Sequence, residues 1–131
     1  RQLEESVRRS LPSASFAPVV AVCATTGFHV RQAFTTALQV ARAMRRGLSD
    51  TDCVTAVRLA WSRQPPPRVR GRLVHFHHAR WIAVYPPRLE LTARPAQLPP
   101  PYARYLIKQL HAHPKLCGVP LHLSIKPSCS N

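Results

Sequence analysis

The chain of 131 residues carries 19 lysines and arginines against 5 acidic residues, a formal net charge of +14, and 16 of its cations are arginine. That length suits one domain plus a fragment of another, and no stretch approaches the ~20 consecutive apolar residues of a membrane helix, so no membrane partner is expected. The charge points to a polyanion, nucleic acid first, because arginine's planar fork pairs with phosphate in two bonds at once.

The elements follow in chain order. Leu3, Val7 and Leu11 share one face of a short helix, and Ala17 to Gly27 (APVVAVCATTG) reads as a buried strand entering a glycine turn. From Val30 to Arg46 a helix directs Ala33, Phe34, Ala37, Leu38, Ala41 and Met44 inward, and Gly47 ends it as a C-cap glycine would. Ser49 then offers an N-cap hydroxyl, with Asp50 and Asp52 in the first turn where the helix dipole favours negative charge. Val54, Val57, Leu59 and Trp61 carry the apolar weight of this helix to a proline block, Pro65 to Pro67.

Val74 to Ala79 and Pro86 to Ala93 read as two strands. Pro99 to Pro101 lack the amide hydrogens a helix interior needs but suit its first turn, and Tyr102, Tyr105, Leu106 and Leu110 follow at helical spacing until Pro114 and Gly118 stop it. Val119, Leu121, Leu123 and Ile125 then alternate with Pro120, His122, Ser124 and Lys126, the period of a half-buried strand. The alternation places Val74, Phe76 and His78 with Leu89, Leu91, Leu121, Leu123 and Ile125 in the core under two helices. The other face carries Leu73, His75, His77, Arg88, Glu90, His122, Ser124 and Lys126.

Three smaller features bear on chemistry. His75 and His77 share a strand face, but no Cys or carboxylate stands at zinc spacing, so no metal is expected. Cys117 and His113 lack an orienting third group, and Cys117 reads as a buried packing cysteine. Trp61 reads as core, whereas Trp81 reads as a loop residue able to stack on a base. Cys23, Cys53, Cys117 and Cys129 show no CxxC spacing, which fits a reducing compartment.

The landmarks Leu48, Ser49, Pro65 to Pro67, Val69, Gly71, Ala79, Pro86 and Pro87, then Pro99, Tyr102, Arg104, Tyr105, Leu106, Gln109, Leu110, Gly118 and Pro120, span some eighty positions in fixed order. In this series the chain resembles the C-terminal KH-like domain of the EngA/Der family, GTPases with two tandem G domains that act in ribosome assembly. The resemblance implies an α/β (α+β) fold, a helix-strand-strand-helix-strand KH-like domain over residues 48–131. Its three-stranded sheet is covered by helices on one face. Residues 1–47 correspond to the last helix-strand-helix of a G domain, so the chain is expected to be the C-terminal part of a longer protein.

By the same resemblance Cys23, Ala24 and Thr25 occupy the guanine-loop motif, whose backbone amides approach the guanine carbonyl. Cys23 stands where the family has serine, and His78 to Trp81 (HARW) replaces an aromatic followed by Ala-Thr-Gln. The chain also ends without the basic tail of bacterial members. These departures suggest a mitochondrial (matrix) member, with the bacterial cytoplasm as the alternative. GTP with Mg²⁺ is the implied cofactor of the full-length parent. This stretch, without a GxxxxGK[ST] loop, is not catalytic alone.

The implied partners are ribosomal RNA in a large-subunit assembly intermediate and the other G domains of the same chain. Arg63, Arg68, Arg70, Arg72, Arg80, Arg104, Lys108 and Lys126 are the expected RNA contacts. The glycines, at 27, 47, 71 and 118, form no GXXG loop, so phosphate or shape recognition is favoured over sequence reading. The alternatives are an RNA-bound ribosomal or scaffold protein that has lost GTPase activity, and a protein-protein interaction module.

Overall fold

The computed structural model describes residues 1–82 and 85–128, so Cys129 lies outside the described residues. Its helices are α1 (Gln2–Ser10), α2 (Val30–Arg46), α3 (Asp50–Arg63) and α4 (Pro100–His111), with 3₁₀ turns at Pro12–Ala14 and Pro114–Leu116. The strands are β1 (His75–Ile82), β2 (Arg88–Arg94) and β3 (His122–Pro127). From Ser49 onward the order is helix, strand, strand, helix, strand, an α+β arrangement as expected.

In the sheet β2 is central, antiparallel to β1 and parallel to β3. Its alternation is clean: Leu89, Leu91 and Ala93 are fully buried, and Arg88 and Arg94 are exposed. Cys53, Val57 and Ala60 of α3 and Tyr102, Leu106 and Leu110 of α4 bury the helix side of this sheet. Ser49 caps α3 as its sequence predicts, its Oγ accepting from the Asp52 amide at 3.2 Å. At the other end of α3 the backbone carbonyls outnumber amide donors, and α4 supplies two. The Tyr105 hydroxyl donates to the Ala60 carbonyl and the Tyr102 hydroxyl to that of Gln64, both at 2.8 Å. Trp61 packs edge-on against Tyr102 at 5.5 Å and tilted against Phe76 at 5.8 Å, a core role as expected.

A β-bulge interrupts β1 between Phe76 and His78. The extra residue, His77, shifts the alternation by one, so Ala79 and Trp81 take the inward positions and His78 turns outward. The core role assigned to His78 is thereby corrected. Trp81 is corrected too: it is a strand residue whose indole packs on the Cα of Gly47. Gly47 closes α2 at φ 58° and ψ −150°, a conformation open mainly to glycine, and a Cβ there would fall inside the indole. The Trp81 Nε1 is buried without a hydrogen-bond partner among the described residues.

Residues 17–27 do not form the expected strand. Pro18 to Val22 run irregularly, with a single bridge between Cys23 and Phe28, because a strand needs a neighbour to take its amides and carbonyls and none lies alongside among the described residues. The inward face assigned to α2 is also corrected. Phe34 is 74% and Leu38 51% exposed, Ala37 and Ala41 are exposed, and the helix meets the rest of the chain through Val40, Ala43 and Met44. Cys117, expected in the core, is exposed beside the Pro114–Leu116 turn, while the neighbouring Leu116 takes the buried position.

Candidate nucleic-acid interface

The side of the sheet left bare by the helices is built in rows across the strands. The register aligns Ile82, Arg88 and His122, then Arg80, Glu90 and Ser124, then His78, Thr92 and Lys126, with His75 opposite Arg94 at the end. Arg80, Arg88, Arg94 and Lys126 thus share this face with the single carboxylate of Glu90, Arg80 directly across from it, and every residue of this face belongs to paired strands about 4.8 Å apart, which fixes the spacing of the charges. Arg88 and Arg94 were not among the expected RNA contacts. Counting by twos along β2 from Arg88 finds both, since they share a face with Glu90 and Thr92.

Arg68, Arg70 and Arg72 cluster beside this face. Val69 and Arg72 exchange backbone hydrogen bonds at 2.9 and 3.0 Å across a two-residue turn with Arg70 at φ 51° and Gly71 at φ 76°. Positive φ at both central positions matches the twist of a tight hairpin, but an arginine there is uncommon. The Arg68 guanidinium donates to the Gly71 carbonyl at 3.2 Å and stiffens the turn. Between this turn and the sheet end opens a cleft of about 640 Å³ lined by Arg68, Arg72, His75, Arg94, Pro95 and Pro127.

The remaining expected contacts do not join that surface. Arg63 ends α3 and donates to the Gln109 side chain at 3.4 Å, and Arg104 and Lys108 stand on α4, on the helix-covered side. The expected RNA set therefore divides between two faces.

Cys23, Ala24 and Thr25 lie in a separate tight turn, closed by Gly27 N–H to the Cys23 carbonyl at 2.9 Å and Cys23 N–H to the Phe28 carbonyl at 3.0 Å. Hydrogen bonds from the Thr25 hydroxyl, 3.3 Å away, and then from Thr26 favour the thiolate and lower the Cys23 pKa to about 7. Ala24 and Thr25 are exposed.

Against known proteins, residues 50–126 match the family model described as the KH-domain-like domain of EngA bacterial GTPase enzymes, C-terminal. The chain belongs to the EngA/Der family. It is 34% identical over 120 residues to the GTPase Der of Moorella thermoacetica, an alignment covering 91% of this chain and 27% of that protein. It is 27% identical over 132 residues to the GTPase Der of Ruegeria pomeroyi, covering 96% and 26% respectively. The chain thus spans about a quarter of the length of these EngA/Der relatives. The family model begins at the first residue of α3 and ends within β3, whereas the alignments to whole relatives reach into the first 47 residues as well. No helix among the described residues is long and apolar enough to cross a membrane.

Proposed function

We propose that this chain is the C-terminal portion of a ribosome-assembly GTPase, in which residues 48–131 dock on ribosomal RNA of the large subunit through phosphate contacts. The observation that carries this reading is the bare sheet face, four cations on a face with one carboxylate, continued by the Arg68–Arg72 turn. Membership of the EngA/Der family supports it. Arg80 and Lys126, with Arg88 and Arg94, meet the backbone of a duplex or structured RNA, and the turn arginines reach past the sheet end. Such contacts position a module without reading sequence, in keeping with the lack of a GXXG loop.

In the same proposal residues 1–47 are the end of a G domain. Cys23, Ala24 and Thr25 then lie against guanine, and GTP with Mg²⁺ binds only when the phosphate loop of that domain is present. The exposed apolar side of α2, Phe34 and Leu38, supports this, since a G domain would cover it. A mitochondrial matrix location rests on the divergence at Cys23 and at His78 to Trp81, and subcellular fractionation tests it.

The RNA interface is tested by a filter-binding salt titration of Arg68→Ala/Arg70→Ala/Arg72→Ala. For every phosphate no longer neutralised, the slope of log affinity against log salt falls by about 0.7 to 0.9, with sequence preference unchanged. A slope equal to the parent's removes the turn from the interface.

A further inference from the structure

A second cleft, of about 660 Å³, lies between the Pro12–Ala14 turn and α4. Its lining combines three chemistries. Arg104 and Lys108 supply charge, Ile107 and Leu121 supply apolar surface, and Phe16 and His111 supply aromatic rings.

Arg104 and Lys108 are four residues apart on the exposed face of α4, a spacing at which like charges repel. Neither takes part in the ion pairs seen among the described residues, which are Arg8 with Glu4 and Lys115 with Asp52. The rings of Phe16 and His111 stack at 4.5 Å and 14°, both half-buried, and the His111 Nε2–H donates to the Val119 carbonyl at 2.9 Å, which fixes the ring plane. Burial lowers the His111 pKa, so the ring is neutral near pH 7. A simple anion has no use for the aromatic pair, and an apolar peptide has none for two adjacent cations. A nucleotide uses both.

We propose that this cleft holds one unpaired nucleotide of an RNA chain, its base against the Phe16–His111 pair and its phosphate on Arg104 and Lys108. The inference rests on the RNA-binding reading above but concerns a different surface, and it assigns the helix-side cations to a single-stranded segment flanking the duplex held by the sheet face. It also gives the junction between residues 1–47 and the KH-like domain a ligand, since Phe16 comes from one side and His111 from the other.

The test is fluorescence anisotropy with the 131-residue chain and three probes: a single-stranded RNA octamer, a duplex of the same sequence, and adenosine monophosphate as competitor. Phe16→Leu is expected to weaken single-strand binding roughly 5- to 150-fold, the equivalent of ~1 to 3 kcal/mol of stacking, and to leave duplex binding unchanged. Phe16→Trp restores binding, which separates a stacking role from loss of fold. Arg104→Ala/Lys108→Ala, which frees the one phosphate held there, lowers the single-strand salt slope by about 0.7. Parental single-strand binding in both Phe16→Leu and the double variant overturns the proposal, as does equal loss of duplex binding in Phe16→Leu. Displacement of the octamer by stoichiometric adenosine monophosphate overturns the RNA assignment in favour of a free nucleotide. Parental duplex binding by an Arg80→Ala/Arg88→Ala/Lys126→Ala variant alongside a defective Phe16→Leu would reject the sheet-face reading and leave the cleft standing.

Discussion

Arg70 occupies a backbone conformation that glycine would adopt more easily, at the tip of a turn whose other residues are satisfied. Arg70→Gly is therefore expected to stabilise the fold by about 1 kcal/mol in a denaturant melt while weakening RNA binding. Gly47→Ala acts in the opposite direction. The added methyl collides with Trp81 and the backbone conformation is strained, an expected loss of about 1 to 3 kcal/mol in the same assay. Among the thiols, burial and then the charges of Asp50 and Asp52 push Cys53 up to about 12, whereas Cys23 sits at about 7. Alkylation at pH 7.5 followed by peptide mass mapping should modify Cys23 first and Cys53 only after unfolding. Burial holds His111 below its ordinary value of 6.5, so the unfolded chain binds its proton first. The stability tied to the neutral ring is present above that value and is lost as pH falls through the folded pKa. Melting at pH 7.5 and 5.5 should show a smaller difference for His111→Gln than for the parent.

At the scale of elements, α4 separates burial from charge along one helix. Leu110→Ala is expected to cost about 2 to 5 kcal/mol because its side chain is 1% exposed, and Lys108→Ala almost nothing; equal losses in denaturant melts would contradict the face assignment. This helix was legible in the sequence because proline at its start and the apolar spacing of Tyr102, Leu106 and Leu110 agree. The cap at Ser49 and the glycine end of α2 were legible for the same reason, each being a local rule satisfied locally. β1 was not. Period two carries no mark for one extra residue, so the bulge at His77 reversed the face of His78 and hid the burial of Ala79, while a strand read as ending at Ala79 left the partly buried Trp81 in a loop. Half of the candidate interface was legible as a cationic face, yet its division into a sheet side and a helix side depends on how α4 crosses β3, a tertiary fact with no local signal.

For the molecule as a whole, the two segments differ in how far they satisfy themselves. The KH-like domain closes around β2, whereas residues 1–47 leave Leu3, Leu11, Val22, Phe28, Phe34 and Leu38 at least half exposed. The failed strand at residues 17–27 has the same origin, since its sequence is that of a buried strand and its partners are missing among the described residues. From this we expect no measurable GTP binding by the 131 residues in calorimetry, because they hold no GxxxxGK[ST] loop to cradle phosphates. In a longer form carrying the phosphate loop, Ala24→Trp should weaken GTP binding and leave RNA binding by residues 48–131 intact. Tight binding of GTP to the 131 residues would contradict both expectations.

The packing of Trp81 on Gly47 also gives the chain an optical gauge. There are two tryptophans, and Trp61 lies away from this joint among Phe76 and Tyr102. With Trp61→Phe in place, emission would come from one indole seated where α2 hands over to α3, so its wavelength would report wetting of that junction alone. A red shift on adding RNA, without loss of helix signal, would mean that the two segments part when the ligand arrives.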